Sequence, residues 1–193
     1  MTHGFNDYMT GDKVLFTKAW METSAEDINV ILFDWTDLAG IFQFEGGDDY
    51  AYNEAARNSV DLGEYLGHCL AALWELEGVS GANLHLAGHS LGSHLMGKAA
   101  RVFKDLTGET VQRVTGLDPA GPRFVDGPLL DALPELNENR LGKDSADFVD
   151  IIHSDGSLSP ALVWVQPALG DLHQIGHADF YPQVKCFAIK KYM

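Results

Sequence analysis

Positive charge is scarce in this chain. Thirteen lysines and arginines stand against 28 aspartates and glutamates in 193 residues, for a net charge of −15 and a pI of about 4.7. That deficit excludes non-specific nucleic-acid binding, which rests on Lys and Arg at phosphates. The acidic excess reads as a solvated surface. No apolar run approaches the ~20 residues of a membrane-spanning helix, so no transmembrane segment is expected. Met1-Thr2-His3-Gly4-Phe5 holds no signal-peptide core. Cysteine is nearly absent: there are only Cys69 and Cys186, with none of the Cys/His spacing that binds metal. No metal or cofactor is expected. Cys69 falls on the apolar face of a predicted helix, where a buried free thiol is expected rather than a bridge to Cys186. Repeats, low-complexity tracts and linkers are also missing. What is present is 46% hydrophobic residues, enough to build a core at a length that suits one domain.

Strand and helix patterns alternate. Asp12 to Ser24 reads as a helix. Asn29 to Trp35 is a short, nearly continuous apolar run, as in a strand buried on both faces of a parallel sheet. Residues 48–77 place Tyr52, Ala55, Ser59, Leu62, Leu66, Cys69, Leu70 and Leu73 on one helical face. Asp48 or Asp49 caps the start of that helix and Gly78 its end. A strand Ala82–Ala87 follows, then a helix from Ser90 to about Leu106, and strands Val111–Leu117 and Phe148–His153. The connection Pro119–Ala146 is long enough to suggest a functional or irregular loop. This order implies an α/β chain with a parallel, doubly wound sheet and its functional groups at the carboxyl ends of the strands.

One such end is Gly88-His89-Ser90-Leu91-Gly92. Between a strand and a helix, Gly-x-Ser-x-Gly is the pattern of a nucleophile elbow, a sharp turn that lifts a serine hydroxyl above the sheet. A side chain at Gly88 or Gly92 would clash with the neighbouring strand and helix. A serine hydroxyl needs a base, an acid to orient the base, and donors for the oxyanion. Asp118 closes the next strand and precedes Pro119, so it reads either as that acid or as a simple turn former. The helix N-terminus at Ser90 favours negative charge.

The chain resembles the pancreatic-lipase family, especially the insect branch of phospholipase A1-like enzymes and yolk proteins. The matching segments, in order, begin with His3-Gly4-Phe5, Asn29-Val30-Ile31 with Asp34-Trp35, and Asn83 through His94. They continue with Gly116-Leu117-Asp118-Pro119-Ala120-Gly121-Pro122, Asp147 through His153, and Gly176 through Pro182. The resemblance implies an α/β-hydrolase fold with a mostly parallel, doubly wound sheet, helices on both faces, and both termini incomplete. It implies a partial lipase domain over 1–182 and a divergent tail over 183–193. It assigns Ser90 as nucleophile, Asp118 as acid, the N–H groups of Phe5 and Leu91 as oxyanion hole, and Gly88, His89 and Gly92 as the elbow. It further implies a lipid ester at a lipid–water interface as substrate, and extracellular localisation.

Two departures bear on activity. In the family the catalytic histidine follows a lid beyond the Gly-His-x-Asp-Phe-Tyr-Pro segment, and no histidine follows His177 here. For His3, His68, His85, His89, His94, His153, His173 and His177, a structural or surface role is the expectation. In the loop Arg140–Asp147, Gly142 and Ser145 stand where some relatives place calcium-binding carboxylates, so no bound calcium is expected. The expected function is therefore a serine lipase-type ester hydrolase, impaired in this chain for want of a base. The alternative is a non-catalytic yolk or lipid-carrier relative.

Overall fold

The structure, a computed structural model, describes residues 1–9, 11–25, 27–40, 48–126, 131–154 and 169–182. In chain order the elements are α1 (Gly11–Thr23), α2 (Asp48–Glu77), β1 (His85–His89), α3 (Leu91–Thr107), β2 (Arg113–Leu117), α4 (Pro134–Asn137), β3 (Phe148–Ile152) and β4 (Ala178–Phe180). The expected helices appear within a residue or two of their boundaries. Gly78 ends α2 at φ +69°, its N–H donating to Trp74 O at 3.1 Å, the left-handed stop for which glycine has no Cβ penalty. The side chains of Asp48 and Asp49, proposed as caps, lie outside the described residues, as do Cys186 and the whole tail 183–193.

β2 starts at Arg113 rather than Val111 and β3 ends at Ile152 rather than His153, and two other strands differ more from the sequence reading. Ala82–Leu84 is not strand: residues Gly81–Asn83 form a 3-10 turn capped by Ser80, and β1 starts at His85. Gly81 lies too close to Thr110 for any side chain, which turns the chain there before pairing begins. Asn29–Trp35 is not a full strand either. Its pairing is confined to one edge, where Met1 N donates to Ile31 O (2.9 Å) and Phe33 N–H to Met1 O (2.9 Å).

β1 to β4 lie in sequence order and all pair parallel. Met1–His3 extends this sheet beyond β1: Thr2 bridges Gly88 on one side and Phe33 on the other, both parallel. Among the described residues, with 31–33 outermost, the spatial order of the six extended segments is 2-1-3-4-5-6. The chain winds outward from Met1–His3, then reverses to the other side at β1. That reversal is a topological switch point, and in open α/β sheets the crevice beyond such strand ends is where ligands bind. The segments flanking it end in His3-Gly4-Phe5 and His89-Ser90.

α3 covers one face of the sheet through Leu91, Leu95, Met96, Ala99 and Phe103, all buried with Val114, Val149 and Ile151. The opposite face carries polar groups that satisfy one another. His85 Nε2 donates to Thr115 Oγ1, whose hydroxyl donates to Asp150, while Arg113 grips the same carboxylate with two nitrogens. Burial alone would push the Asp150 carboxyl up, but the bonds from Arg113 and Thr115 hold it below its ordinary value. Trp20 of α1 meets His85 edge-on.

α2 crosses α3 at close range because of two glycines. A Cβ on Gly63 would lie 2.7 Å from Leu95 O, and one on Gly67 2.6 Å from Val102 Cβ. Replacing a helical glycine by alanine ordinarily gains about 0.5–1 kcal/mol. Here Gly67→Ala is expected to destabilise by about 1–3 kcal/mol, since the added methyl overpacks the interface. Urea unfolding measures the sign; a gain would contradict this helix contact.

Candidate active site

β1 runs straight into Ser90, whose backbone adopts φ 53° and ψ −123°. This conformation costs a non-glycine residue on the order of 1–3 kcal/mol and persists only when the surroundings enforce it. They do so here. Ser90 N–H donates to Leu117 O on β2 (3.0 Å), Ser93 N–H to Ser90 O (3.0 Å), and Ser93 Oγ to Gly88 O (2.7 Å). Where α3 turns back over the strand end, a Cβ at Gly88 would run into Gly92 O and lie 2.7 Å from Ser93 N. A Cβ at Gly92 would run into His3 O.

The segment after Met1–His3 comes up beside the serine. A Cβ on Gly4 would lie 2.6 Å from Ser90 Cβ and 3.2 Å from Ser90 Oγ. Phe5 is held on both sides: its ring meets Tyr52 edge-on at 5.1 Å and lies against Gly40, which has φ +97° and no room for a Cβ. Asn6 N–H donates to Ala39 O at 2.7 Å. Beneath the turn, the buried His3 stacks on Trp35, and its Nε2 lies 3.0 Å from Asp34 Oδ1. Trp35 Nε1 donates to His3 O. Bonds from Thr36 and from His3 hold the Asp34 carboxyl below its ordinary value. Leu91 is the first residue of α3, where helix N–H groups have no partner within the helix.

Asp118 stands next to Ser90 by register. β1 and β2 pair His89 with Leu117, so the two following residues share one sheet edge. Asp118 also has positive φ (51°), its N–H donates to Ile152 O at 2.7 Å, and its Oδ1 accepts from Ser154 N–H at 2.8 Å. Ser90, Asp118, Leu91 and the Gly4–Phe5 turn are thus brought together at the switch point. His89 is exposed on β1.

Six of the eight histidines, counting His3 above, are engaged elsewhere. Leu141 N–H donates to His94 Nδ1, so Nε2 carries the proton it gives to Ala120 O; burial pushes this imidazole down to about 4. His85 is likewise lowered to about 4 by burial and by Arg113. His177 Nδ1 accepts from Val149 N–H, and His173 Nδ1 contacts Asp171. His153 reaches Asp171 O through Nδ1 and Asp179 Oδ1 through Nε2. Among the described residues no imidazole hydrogen-bonds Ser90 Oγ.

Some participants have no local signal in the sequence. The Arg101 guanidinium donates to Asn139 O, Arg140 O and Ser145 Oγ, fixing the loop that contains Gly142. Its partners lie 38 to 44 residues away in the chain. Tyr52 was legible only as an apolar-face residue, yet its hydroxyl donates to Pro122 O beyond Asp118. A groove of about 780 Å³ opens beside the His3–Asp34 anchor, lined by Tyr8, Trp35, Asp37, Leu38 and Leu62. Neither Ser90 nor Asp118 lines it.

A parallel, doubly wound α/β sheet with a serine on a strained turn at its switch point defines the α/β-hydrolase class. Within that class, the family model described as Lipase matches residues 1–185, and the chain belongs to the lipase family. It is 37% identical over 158 residues to a pancreatic triacylglycerol lipase of Myocastor coypus, covering 81% of this chain and 29% of that protein. It is 33% identical over 188 residues to a pancreatic lipase-related protein 2 of Cavia porcellus, covering 93% of this chain and 36% of the relative. With a human pancreatic triacylglycerol lipase the identity is 36% over 158 residues, covering 81% and 28%. The chain therefore spans about a third of the length of the curated relatives it matches.

Proposed function

We propose that this chain carries the serine site of a hydrolase acting on carboxylic esters of lipids. Ser90 Oγ attacks the acyl carbonyl and gives its proton to an imidazole oriented by Asp118. The oxyanion is met by the N–H groups of Phe5 and Leu91, each such donor being worth ~3–4 kcal/mol in the transition state. The alcohol departs with the proton, and water then releases the acid and restores Ser90. The observation that carries this reading is the convergence at the switch point: Ser90 on its strained turn, Gly4 packed against it, and Asp118 on the adjacent strand end. Family membership and the names of the relatives support the lipid-ester substrate. On the same reading residues 1–182 form a partial lipase domain with 183–193 as a divergent tail, and the protein works outside the cell at a lipid–water interface.

Among the described residues no imidazole hydrogen-bonds Ser90 Oγ, which supports the reading of an impaired site wanting a base. That observation also favours a second reading, a non-catalytic lipid-binding relative. Hydrolysis of p-nitrophenyl butyrate and of phosphatidylcholine and trioleoylglycerol emulsions, compared between the natural chain and Ser90→Ala, separates the two. Added imidazole, acting as an external base, is expected to raise the natural chain's rate on the most reactive ester at least tenfold and to leave Ser90→Ala unchanged, since the residual of about 10³–10⁴ over water in an incomplete triad comes from the oxyanion hole and binding and does not need the serine. No response to imidazole together with emulsion binding would favour the carrier reading.

A further inference from the structure

His153 is buried at the functional edge of the sheet, and its ring nitrogens bond Asp171 and Asp179 rather than Ser90. It resembles a catalytic base in its company, with a carboxylate, Asp179, on one ring nitrogen. Its other partner rules that out: Nδ1 faces the carbonyl oxygen of Asp171. Both partners are acceptors, and Asp179 also accepts the N–H groups of Ile175 and Gly176. Nδ1 is taken up by the Asp171 carbonyl and Nε2 by the Asp179 carboxylate, so neither ring nitrogen is turned toward the serine hydroxyl. Tyr181 stacks on the imidazole at 4.4 Å, and the His153 N–H is bound to Phe180 O, so the ring cannot swing away.

We propose that His153 is a positioning residue for Asp118, acting through its bond to Asp171; this rests on the serine-hydrolase reading above. Two segments hold the Asp118 turn. On one side, Ile152 O accepts Asp118 N–H and Ser154 N–H donates to its carboxylate. On the other, Gly121 N–H donates to Leu169 O, and Asp171 N–H to Pro119 O, so that segment lies along the chain just after Asp118. His153 sits in the first segment and bonds the second. Arg140 anchors the far end through an ion pair with the buried Asp171 carboxylate. Without the pin, each segment still has its own bonds to the turn, but their separation is no longer fixed. The carboxylate of Asp118 then loses the position that its bond from Ser154 N–H fixes.

The two arms of the ring can be tested separately, because an asparagine amide nitrogen stands where Nδ1 is and a glutamine amide nitrogen where Nε2 is. The readout is the Ser154 backbone amide resonance in ¹⁵N-labelled protein, with Asp118→Ala marking the position it takes when its acceptor is lost. His153→Asn keeps the Asp171 arm and is expected to leave Ser154 near its natural position. His153→Gln keeps only the Asp179 arm and is expected to move Ser154 at least halfway to the Asp118→Ala position. It is also expected to speed amide exchange of Gly121 and Asp171 at least tenfold. Gly67→Ala, a destabilised variant far from this edge, controls for general loosening and leaves Ser154 in place. The proposal is overturned if His153→Asn and His153→Gln shift Ser154 alike, or if neither does. Should His153→Gln not fold, Asp171→Asn, which keeps the carbonyl but removes the anchor to Arg140, is expected to give the same Ser154 shift, and an unmoved Ser154 there overturns the proposal. None of these readouts depends on Ser90 being reactive, so failure of the hydrolase reading shows separately, in the ester assay.

Discussion

Gly88→Ala abolishes any reactivity of Ser90 and destabilises the chain by about 3 kcal/mol or more, at the upper end of what overpacking costs. The added methyl would meet backbone on every side: Gly92 O and C, and Ser93 N. A flexible side chain could give way at a few tenths of an ångström, but these atoms belong to the first turn of α3. That turn is held by Ser93 N–H to Ser90 O and by Ser93 Oγ to Gly88 O. To accommodate a Cβ, α3 must lift from the end of β1, and Leu91 and Leu95, both wholly buried, lift with it. The strained φ of Ser90 exists only because this packing enforces it, so the serine relaxes out of position at the same time. Urea unfolding gives the stability loss and fluorophosphonate labelling gives the loss of reactivity. A stable, reactive Gly88→Ala protein would show that the strand–helix approach is looser than described.

Acid weakens the fold through His94. This imidazole is wholly buried, stacked on Phe124 and bonded to Leu141 N–H and Ala120 O. Burial lowers it to about 4 from an ordinary 6.5. In the unfolded chain it takes up a proton below 6.5, whereas in the folded chain it does so only near 4. The unfolded state therefore binds more protons across that window, and stability is lost as the pH falls through it. The full interval is worth about 3 kcal/mol at ~1.4 kcal/mol per pH unit. His85 titrates in the same direction. Carboxylates held below their ordinary values, Asp34 and Asp150 among them, add their losses at still lower pH. In His94→Gln the Leu141 N–H is left without its acceptor, so that variant is less stable at pH 7 by about 1–3 kcal/mol. Its stability should nonetheless fall less between pH 7 and 4.5, and the gap to the natural chain should narrow. Urea unfolding at the two pH values measures this; a gap that widens on acidification would contradict the neutral, buried state.

Much of this architecture is legible in the sequence because it is local. The apolar run into Gly88, the helical period after Ser90 and the Asp118-Pro119 stop each declare themselves within a few residues. The switch point is less local: it depends on Met1–His3 serving as the strand between β1 and residues 31–33. No period can be read in three residues. The apolar face of α2 places Tyr52 correctly, but nothing in its neighbourhood shows that it bears on Phe5 and Pro122. His153 is further out of reach. Its ring partners lie 18 and 26 residues downstream, and one of them is a backbone carbonyl, which any residue type supplies. The expected strand from Ala82 failed for a different reason, since apolar composition there serves a 3-10 turn packed against Thr110.

Intact-mass and peptide mapping after exposure to a fluorophosphonate tests most directly the proposal that Ser90 is a nucleophile without its base. The site predicts a single adduct on Ser90, formed slowly, absent in Ser90→Ala and accelerated at least tenfold by added imidazole acting as the missing base. No adduct on Ser90 in the folded protein, with imidazole present, would contradict it.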